Sequence, residues 1–497
     1  GEDFKLSADA DITGQSVSVP AGKSVVLDLN GYTLTADNSA TGKIIVLGKM
    51  TLKDSSTEKK GKIVASQDYT AASYNGSLIE IAGEDASMTM ESGNISAVRE
   101  TPDSNGQYGV GVTDGGDFTM TGGKIEAGWF AVAGNGNYKT QNSIINITDG
   151  ELISTADYAV YLPQSGTTTI SGGKVYGAAG GVCIQRGTLN VEGTALITSK
   201  GTGSTGNWGD GTGGLDCAAI NVSGAYGIAT VNIKGGTLIA EAKSLITEGT
   251  TYTPVINVTG GTFSDPSVLK YMATNATVDI KLLSNINIAK TELATGYILN
   301  AANATANLNL NGHDIINSSE TADATPFTQI FTVQNGTLNI SGNGNVKCDA
   351  SATAKDDGYR MVIEARGYGT VNIHGGSYYN TQKLNTQIDL IYARENGKIN
   401  IYGGTFESGK YGTPNNDTDG RYWVLNLKNT DKNTASIQVS GGTFINFNPA
   451  NPNMDDNESY LVTGYEVTRD GSVYTAAHKV GDGRKEYIVG QTSQENR

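Results

Sequence analysis

The sequence predicts an all-β protein built as a solenoid, a stack of short coils whose strands run parallel. Three observations predict it. First, one phrase recurs: apolar, polar, apolar, one residue, Gly-Gly, one residue, apolar. It stands as Phe118-Thr-Met120-Thr-Gly122-Gly123-Lys-Ile125, Val231-Asn-Ile233-Lys-Gly235-Gly236-Thr-Leu238, Ile256-Asn-Val258-Thr-Gly260-Gly261-Thr-Phe263 and Val371-Asn-Ile373-His-Gly375-Gly376-Ser-Tyr378. Ile399 to Phe406 and Ile437 to Phe444 repeat it, with looser copies at Met88 to Ile95, Ile145 to Leu152, Thr168 to Val175 and Leu338 to Val346. Second, the second glycine falls at 93, 123, 150, 173, 236, 261, 376, 404 and 442. Most neighbouring gaps are roughly 20–40 residues, the length of one solenoid coil. Third, a chain of 497 residues is too long for one compact core. A solenoid escapes that limit because each coil contacts only its neighbours.

Within the phrase, apolar and polar residues alternate with the period of a half-buried strand. Gly-Gly then permits a sharp bend, because glycine adopts positive φ without a Cβ clash. The following apolar residue opens a new strand on the same core. Upstream, Ile79-Glu-Ile81, Val110-Gly-Val112, Val182-Cys-Ile184, Met361 with Ile363, and Leu390-Ile391-Tyr392 are short apolar runs that end in polar or glycine turns. A coil therefore reads strand, turn, strand, Gly-Gly bend, strand. Two other folds lose on count: a tandem β-sandwich shows turn signals every 8–12 residues or so without a fixed bend signature, and a calcium-binding nonapeptide roll has a much shorter repeat.

In chain order, Ser16 to Lys23 is a strand and turn, and Val25 to Leu29 is a strand ending at the tight-turn signal Asn30-Gly31. A second opening stands near residue 280. Phe4-Lys-Leu6 matches Ile280-Lys-Leu282, and Leu27-Asp-Leu29-Asn30-Gly31 matches Leu308-Asn-Leu310-Asn311-Gly312. The chain is thus expected to carry an internal duplication: a first β-helix over 1–275, a second over 276–446, and a C-terminal cap over 447–497. The Pro-bounded stretch 264–274 is expected to form a short helix that caps the first solenoid, whose end would expose unpaired strand edges. Asp470-Gly471 between alternating strands predicts a β-hairpin over the last coil.

These coils resemble the right-handed parallel β-helix of the pectin-lyase-like superfamily. The stretch from Val19 to Thr35 and the ending from Gly464 to Thr475 are similar to the openings and caps of repeat proteins on the surface of gut bacteria. The resemblance implies an exported bacterial protein, extracellular or at the cell surface. No transmembrane run or signal peptide is visible, and the opening Gly1-Glu2-Asp3 is expected to follow a removed leader.

Lys and Arg number 35 against 50 Asp and Glu, a net charge of −15. That balance disfavours a nucleic-acid partner, which needs a basic face. The cysteines, Cys183, Cys217 and Cys348, are odd in number and fit no metal spacing. Cys183 reads as a small core residue.

Candidate chemistry falls in three places. The middle residue of the phrase is Asn at 146, 190, 232, 257, 339, 372 and 400. These amides are expected to stack on the outer face, either to bind an extended glycan or simply to bond one another. The insertion Gly201 to Leu215 carries Trp208 and Asp210, and a second insertion carries Tyr411, Tyr422 and Trp423. Aromatic rings beside polar groups suit sugar stacking. Asn415-x-Asp417-x-Asp419-Gly420 matches the first half of a calcium loop, although Asn426 replaces the closing Glu. A structural calcium at Asn415, Asp417 and Asp419 competes there with a plain polar turn, and no other cofactor is expected.

No catalytic residue is assigned. The superfamily includes lyases and hydrolases, and its polygalacturonases carry Gly-His-Gly and Arg-Ile-Lys motifs that this chain lacks. Asp356-Asp357 and Asp455-Asp456 are paired acids in loop-like contexts, and His374 fills the outward slot before Gly375. Arg360, Arg366 and Arg394 fall in adjacent coils near Glu364 and Glu395. The expected function is a non-catalytic binding or adhesion scaffold, with an extracellular polysaccharide or host or cell-surface glycan as partner. The alternative is a polysaccharide-degrading lyase or glycoside hydrolase. Two acids converging with an Arg would favour catalysis.

Overall fold

The computed structural model describes residues 2–15, 17–37, 43–66, 76–98, 108–135, 141–205, 214–248, 251–288, 296–317, 327–348, 359–380, 388–408, 422–452 and 459–479. Its strands pair in long parallel ladders, as in a β-helix. By contacts the chain divides into two compact units. The first comprises 1–286, 297–313 and 335–338, and the second comprises 287–296, 314–334 and 339–497.

In the first unit a coil typically contributes three strands, and in two coils Asp117–Ala127 and Ser143–Ser154 run unbroken through the bend. The upstream sheet is nine-stranded and runs from Val17–Val19 through Ile44–Val46, Ser77–Ala82, Tyr108–Thr113, Val132–Ala133, Tyr158–Leu162, Gly180–Ile184 and Ala218–Val222 to Lys243–Thr247. Its core-facing column is Val17, Ile44, Ile79, Val110, Val132, Val160, Val182, Ile220 and Leu245. The limb before the glycines stacks Leu27 on Leu52, Met90 on Met120, and Ile147 through Ile170, Val191 and Ile233 to Val258. The limb after the glycines stacks Leu34, Ile63, Ile95, Ile125, Leu152, Val175, Ile197, Leu238 and Phe263. Every rung thus presents an apolar side chain to the same positions of its neighbours. Burying these columns is the chief stabilising term, at about 25 cal/mol per Å² of apolar surface. Phe4 lies in this register opposite Leu27 but is half exposed, because no described rung covers its other side.

The glycine pair has two separate physical roles. The second glycine of all nine pairs or pair-like sites has positive φ, for example 103° at Gly404. The first glycine sits against the coil before it: a Cβ on Gly403 would come within 2.7 Å of the His374 carbonyl oxygen. The second position calls for glycine on conformation in all nine copies, whereas the first calls for it on space in copies such as Gly403, and Ser92 and Asp149 stand there in others.

The predicted helix is present as a 3-10 turn, Pro266–Tyr271, with Asp265 accepting from the Ser267 N–H at its start. It does not close the stack. Thr277–Lys281 pairs in parallel with Thr262–Phe263 on one side and with Tyr297–Asn309 on the other. The chain leaves the coil for the short helix and rejoins the same ladder.

In the second unit the column after the glycines is Ile315, Val346, Tyr378, Phe406 and Phe444. Rungs of a parallel sheet lie about 4.8 Å apart, so like rings stack: Tyr378 on Phe406 and Phe406 on Phe444, both at 5.0 Å. The hairpin Tyr465–Asp470 with Val473–His478 is antiparallel. Val473–His478 also adds antiparallel to Thr443–Ile445.

Candidate functional site

The glycine pairs of the second unit leave a trench. Gly344, Gly375, Gly376, Gly403, Gly404 and Gly442 floor a groove of about 490 Å³. The Ser377, Thr405 and Thr443 hydroxyls edge it, and Thr475 of the hairpin stands at one end. The groove exists because these positions are glycines, with Asn343 the exception at the first rung. It crosses four rungs, roughly 14 Å at the parallel-strand spacing. The residues preceding two of the pairs, His374 and Tyr402, stack face to face at 4.7 Å and 9°. Tyr402 is 50% exposed. A flat aromatic platform therefore stands beside a run of hydroxyl and peptide groups.

The outward asparagines occupy the row that the sequence predicts. Asn232 Nδ2 donates to Asn190 Oδ1 and Asn257 Nδ2 to Asn232 Oδ1, each at 2.9 Å. In the second unit Asn372 donates to Asn339 and Asn400 to Asn372, both at 2.8 Å. Asn232 and Asn372 each spend a donor and an acceptor on the neighbouring amides, so the row stitches rungs together. Asn146 differs: its neighbours in the row are Thr119 and Thr169.

A second constellation lies in the strands Tyr359–Ile373, Ile388–Ala393 and Tyr422–Leu427. Glu364 accepts from Arg394 Nε at 2.6 Å and from Gln329 Nε2 at 3.3 Å. Arg394 also pairs with Glu395 at 2.6 Å. Burial works against the guanidinium charge, but the two glutamates outweigh it and hold Arg394 above its ordinary value. Asp389 accepts from Asn426 Nδ2 at 2.9 Å. Burial pushes its carboxyl up to about 7, with Asn426 pulling down and the Glu364 charge pushing up. Burial and the Asp389 charge also raise the Tyr392 hydroxyl to about 12. Two carboxyls in one polar cluster, one ion-paired and one holding its proton near neutrality, form an arrangement that acid–base chemistry uses. Here, however, Glu364 and Asp389 are 1% and 2% exposed.

Of the residues singled out in the sequence, Trp208, Asp210, Tyr411, Asn415, Asp417 and Asp419 lie outside the described residues, as do Asp356, Asp357, Asp455 and Asp456. Tyr422 opens the strand Tyr422–Leu427. Trp423 follows it, in register with Asp389, and is 5% exposed, so its indole offers no face to a ligand. The sequence reading placed Trp423 in an insertion, but the register puts it in a covered rung. Among the described residues no three His, Cys, Asp and Glu side chains gather as a metal site.

One cluster escaped the sequence reading. Trp129, Phe130, Tyr158, Tyr161, Cys183 and Cys217 are buried together, apart from the repeating columns. Phe130 stacks on Tyr161 at 4.8 Å, and the Tyr158 hydroxyl donates to the Asp216 carbonyl at 2.6 Å. The Tyr158 ring lies where a Cβ on Gly180 would fall, at 1.9 Å. Gly128-Trp129-Phe130 and the Tyr158/Tyr161 pair were the available signal: bulky rings in a chain where aromatics are only 7% of residues.

Among the described residues no helix is long and apolar enough to cross a membrane. No protein-family model, curated protein or solved structure matches the chain.

Proposed function

We propose that this chain is a non-catalytic binding scaffold for glycans, exported to the cell surface or beyond. In this reading it is built of tandem right-handed β-helices of the pectin-lyase-like kind, with the hairpin as a cap. The observation that carries the binding reading is the glycine-floored groove beside the exposed His374–Tyr402 stack. A linear sugar polymer presents alternating apolar ring faces and hydroxyls. The groove offers an aromatic face at two of its rungs, beside a run of peptide groups and of serine and threonine hydroxyls. Small-ligand sites combine apolar surface with a few convergent polar groups in this way.

The test is a glycan array with the full chain, followed by titration of any neutral oligosaccharide bound. Tyr402→Ala removes an exposed ring and leaves the core columns intact. It is expected to weaken binding at least tenfold, about 1.4 kcal/mol. An array without a hit, or an unchanged affinity in the variant, overturns the reading.

A polysaccharide-cleaving enzyme is the second reading, favoured by the meeting of Glu364, Asp389 and Arg394. Their burial ranks it lower, because a substrate must reach both carboxyls. A screen for reducing ends and unsaturated products, with and without calcium, decides it. Cleavage abolished by both Asp389→Asn and Glu364→Gln would replace the scaffold reading.

A further inference from the structure

We infer that a cleft around Arg186 in the first unit receives the carboxylate of an acidic sugar; the inference rests on the glycan-binding reading and adds a ligand class and a second site to it. The cleft measures about 400 Å³ and is lined by Ser165, Arg186, Tyr226, Gly227, Ile228 and Tyr252, with Gly187. That volume lies within the range of small-molecule sites, about 300–1,000 Å³.

Arg186 stands at the turn between Gly180–Ile184 and Gly187–Val191. Its Nε donates to Ser165 Oγ at 2.9 Å and its Nη1 to the Tyr226 carbonyl at 3.2 Å. A Cβ on Gly227 would lie 2.8–3.0 Å from the Arg186 Cδ, Cγ and Nε, so the stem is pressed flat on the Gly227 backbone. The guanidinium is held in place by neutral groups alone. Among the described residues no carboxylate pairs with it, and no hydrogen bond occupies Nη2. Arg394 shows the contrast, since two glutamates neutralise it. In a chain of net charge −15, a fixed and unneutralised guanidinium in a cleft is a receptor for a planar anion.

The walls say which anion. Tyr226, Ile228 and Tyr252 are 39%, 59% and 47% exposed, an apolar surface gathered around the guanidinium. A bare phosphate or sulfate has no use for two phenol rings. A hexuronic acid has one carboxylate on a ring with apolar faces, which fits one guanidinium flanked by tyrosines. The overall negative charge also opposes densely anionic polymers, so the site favours sparsely carboxylated chains.

The test compares a trisaccharide containing glucuronic acid with its glucose counterpart, in which the carboxyl is an alcohol, by calorimetric titration of the full chain. The acid form is expected to bind at least tenfold more tightly. Arg186→Gln is expected to reduce the acid form to the level of the neutral one, and Tyr252→Ala to weaken both alike. Tyr368→Ala, which removes an exposed ring outside both sites, is expected to change neither. Far-ultraviolet dichroism establishes that each variant is folded. Equal binding of the two sugars, or a preference that survives Arg186→Gln, overturns the Arg186 site while groove binding at Tyr402 stands. An acidic peptide that competes as well as the sugar acid also overturns it. Failure of the array to show any glycan bound, neutral or acidic, brings down the parent reading with it.

Discussion

Asp389 carries the clearest consequence of burial for a single side chain. Its ordinary value is 3.8 and burial raises it to about 7. Between those values the folded chain keeps a proton that the unfolded chain has released. Stability attributable to this group therefore falls as pH rises from about 4 to about 7 and is level above that. Asp389→Asn keeps the shape, can still accept from Asn426, and removes the titration. Its stability relative to the parent is expected to rise with pH, by about 3 kcal/mol between pH 4.5 and pH 8. Urea unfolding of both proteins at the two pH values checks this, and parallel curves would contradict it. The opposite sign holds at the Asn30 corner. Burial opposes ionisation of Asp54, yet hydrogen bonds from Ser56, Gly61 and Gly31 outweigh it and hold the carboxyl low. That contribution is lost on acidification.

At the scale of the element, the turns at Asn30 and Asn311 are the same object built twice. Both residues have positive φ, 47° and 51°. Each N–H donates to the side chain two residues back, Asp28 or Asn309. Each Nδ2 donates to a carbonyl of the preceding rung, Leu6 at 3.0 Å or Leu282 at 2.8 Å. The matched Asn-Gly dipeptides and the matched leucines were legible because a turn uses local chemistry. The core columns were legible for the same reason, since a period of two sorts side chains to faces without knowledge of the neighbouring strand. Phe406 tests what stacking adds. It lies between Tyr378 and Phe444, so Phe406→Ala opens a hole in a column that rungs on both sides must bridge. A loss of about 3–5 kcal/mol is expected, read as a shift of the denaturation midpoint. A loss below 1 kcal/mol would show that the column is not continuous in solution.

At the scale of the whole molecule, a stack of coils is quasi-one-dimensional, and stability accrues from each rung's two neighbours. Hydrogen exchange should therefore grade along the first unit. Among the described residues Glu2–Lys5 pairs only with Ser24–Asp28, whereas Gly166–Ile170 is held by strands on both sides. Protection is expected to be lowest at Glu2–Lys5 and highest in the strands between 143 and 191, by mass-spectrometric exchange. Uniform protection would contradict a nearest-neighbour stack. Much less of the candidate sites was legible than of the fold. The groove arises from glycines that the sequence shows only as bends, and Trp423 looked like a loop aromatic until its register with Asp389 covered it.

The sequence by itself determined the alternating strands of each phrase, the Asn-Gly turns at Asn30 and Asn311 and the terminal hairpin, because each depends on residues within a few positions of one another. Only the tertiary structure decided which side chains meet across coils. Arg186 met Ser165 and Tyr226, His374 met Tyr402, and Glu364 met Arg394, at separations of 21 to 40 residues. Those separations are one or two coil lengths, and coil length varies with every insertion. Which residue stands above which is therefore fixed by strand register, a long-range property that no local pattern encodes.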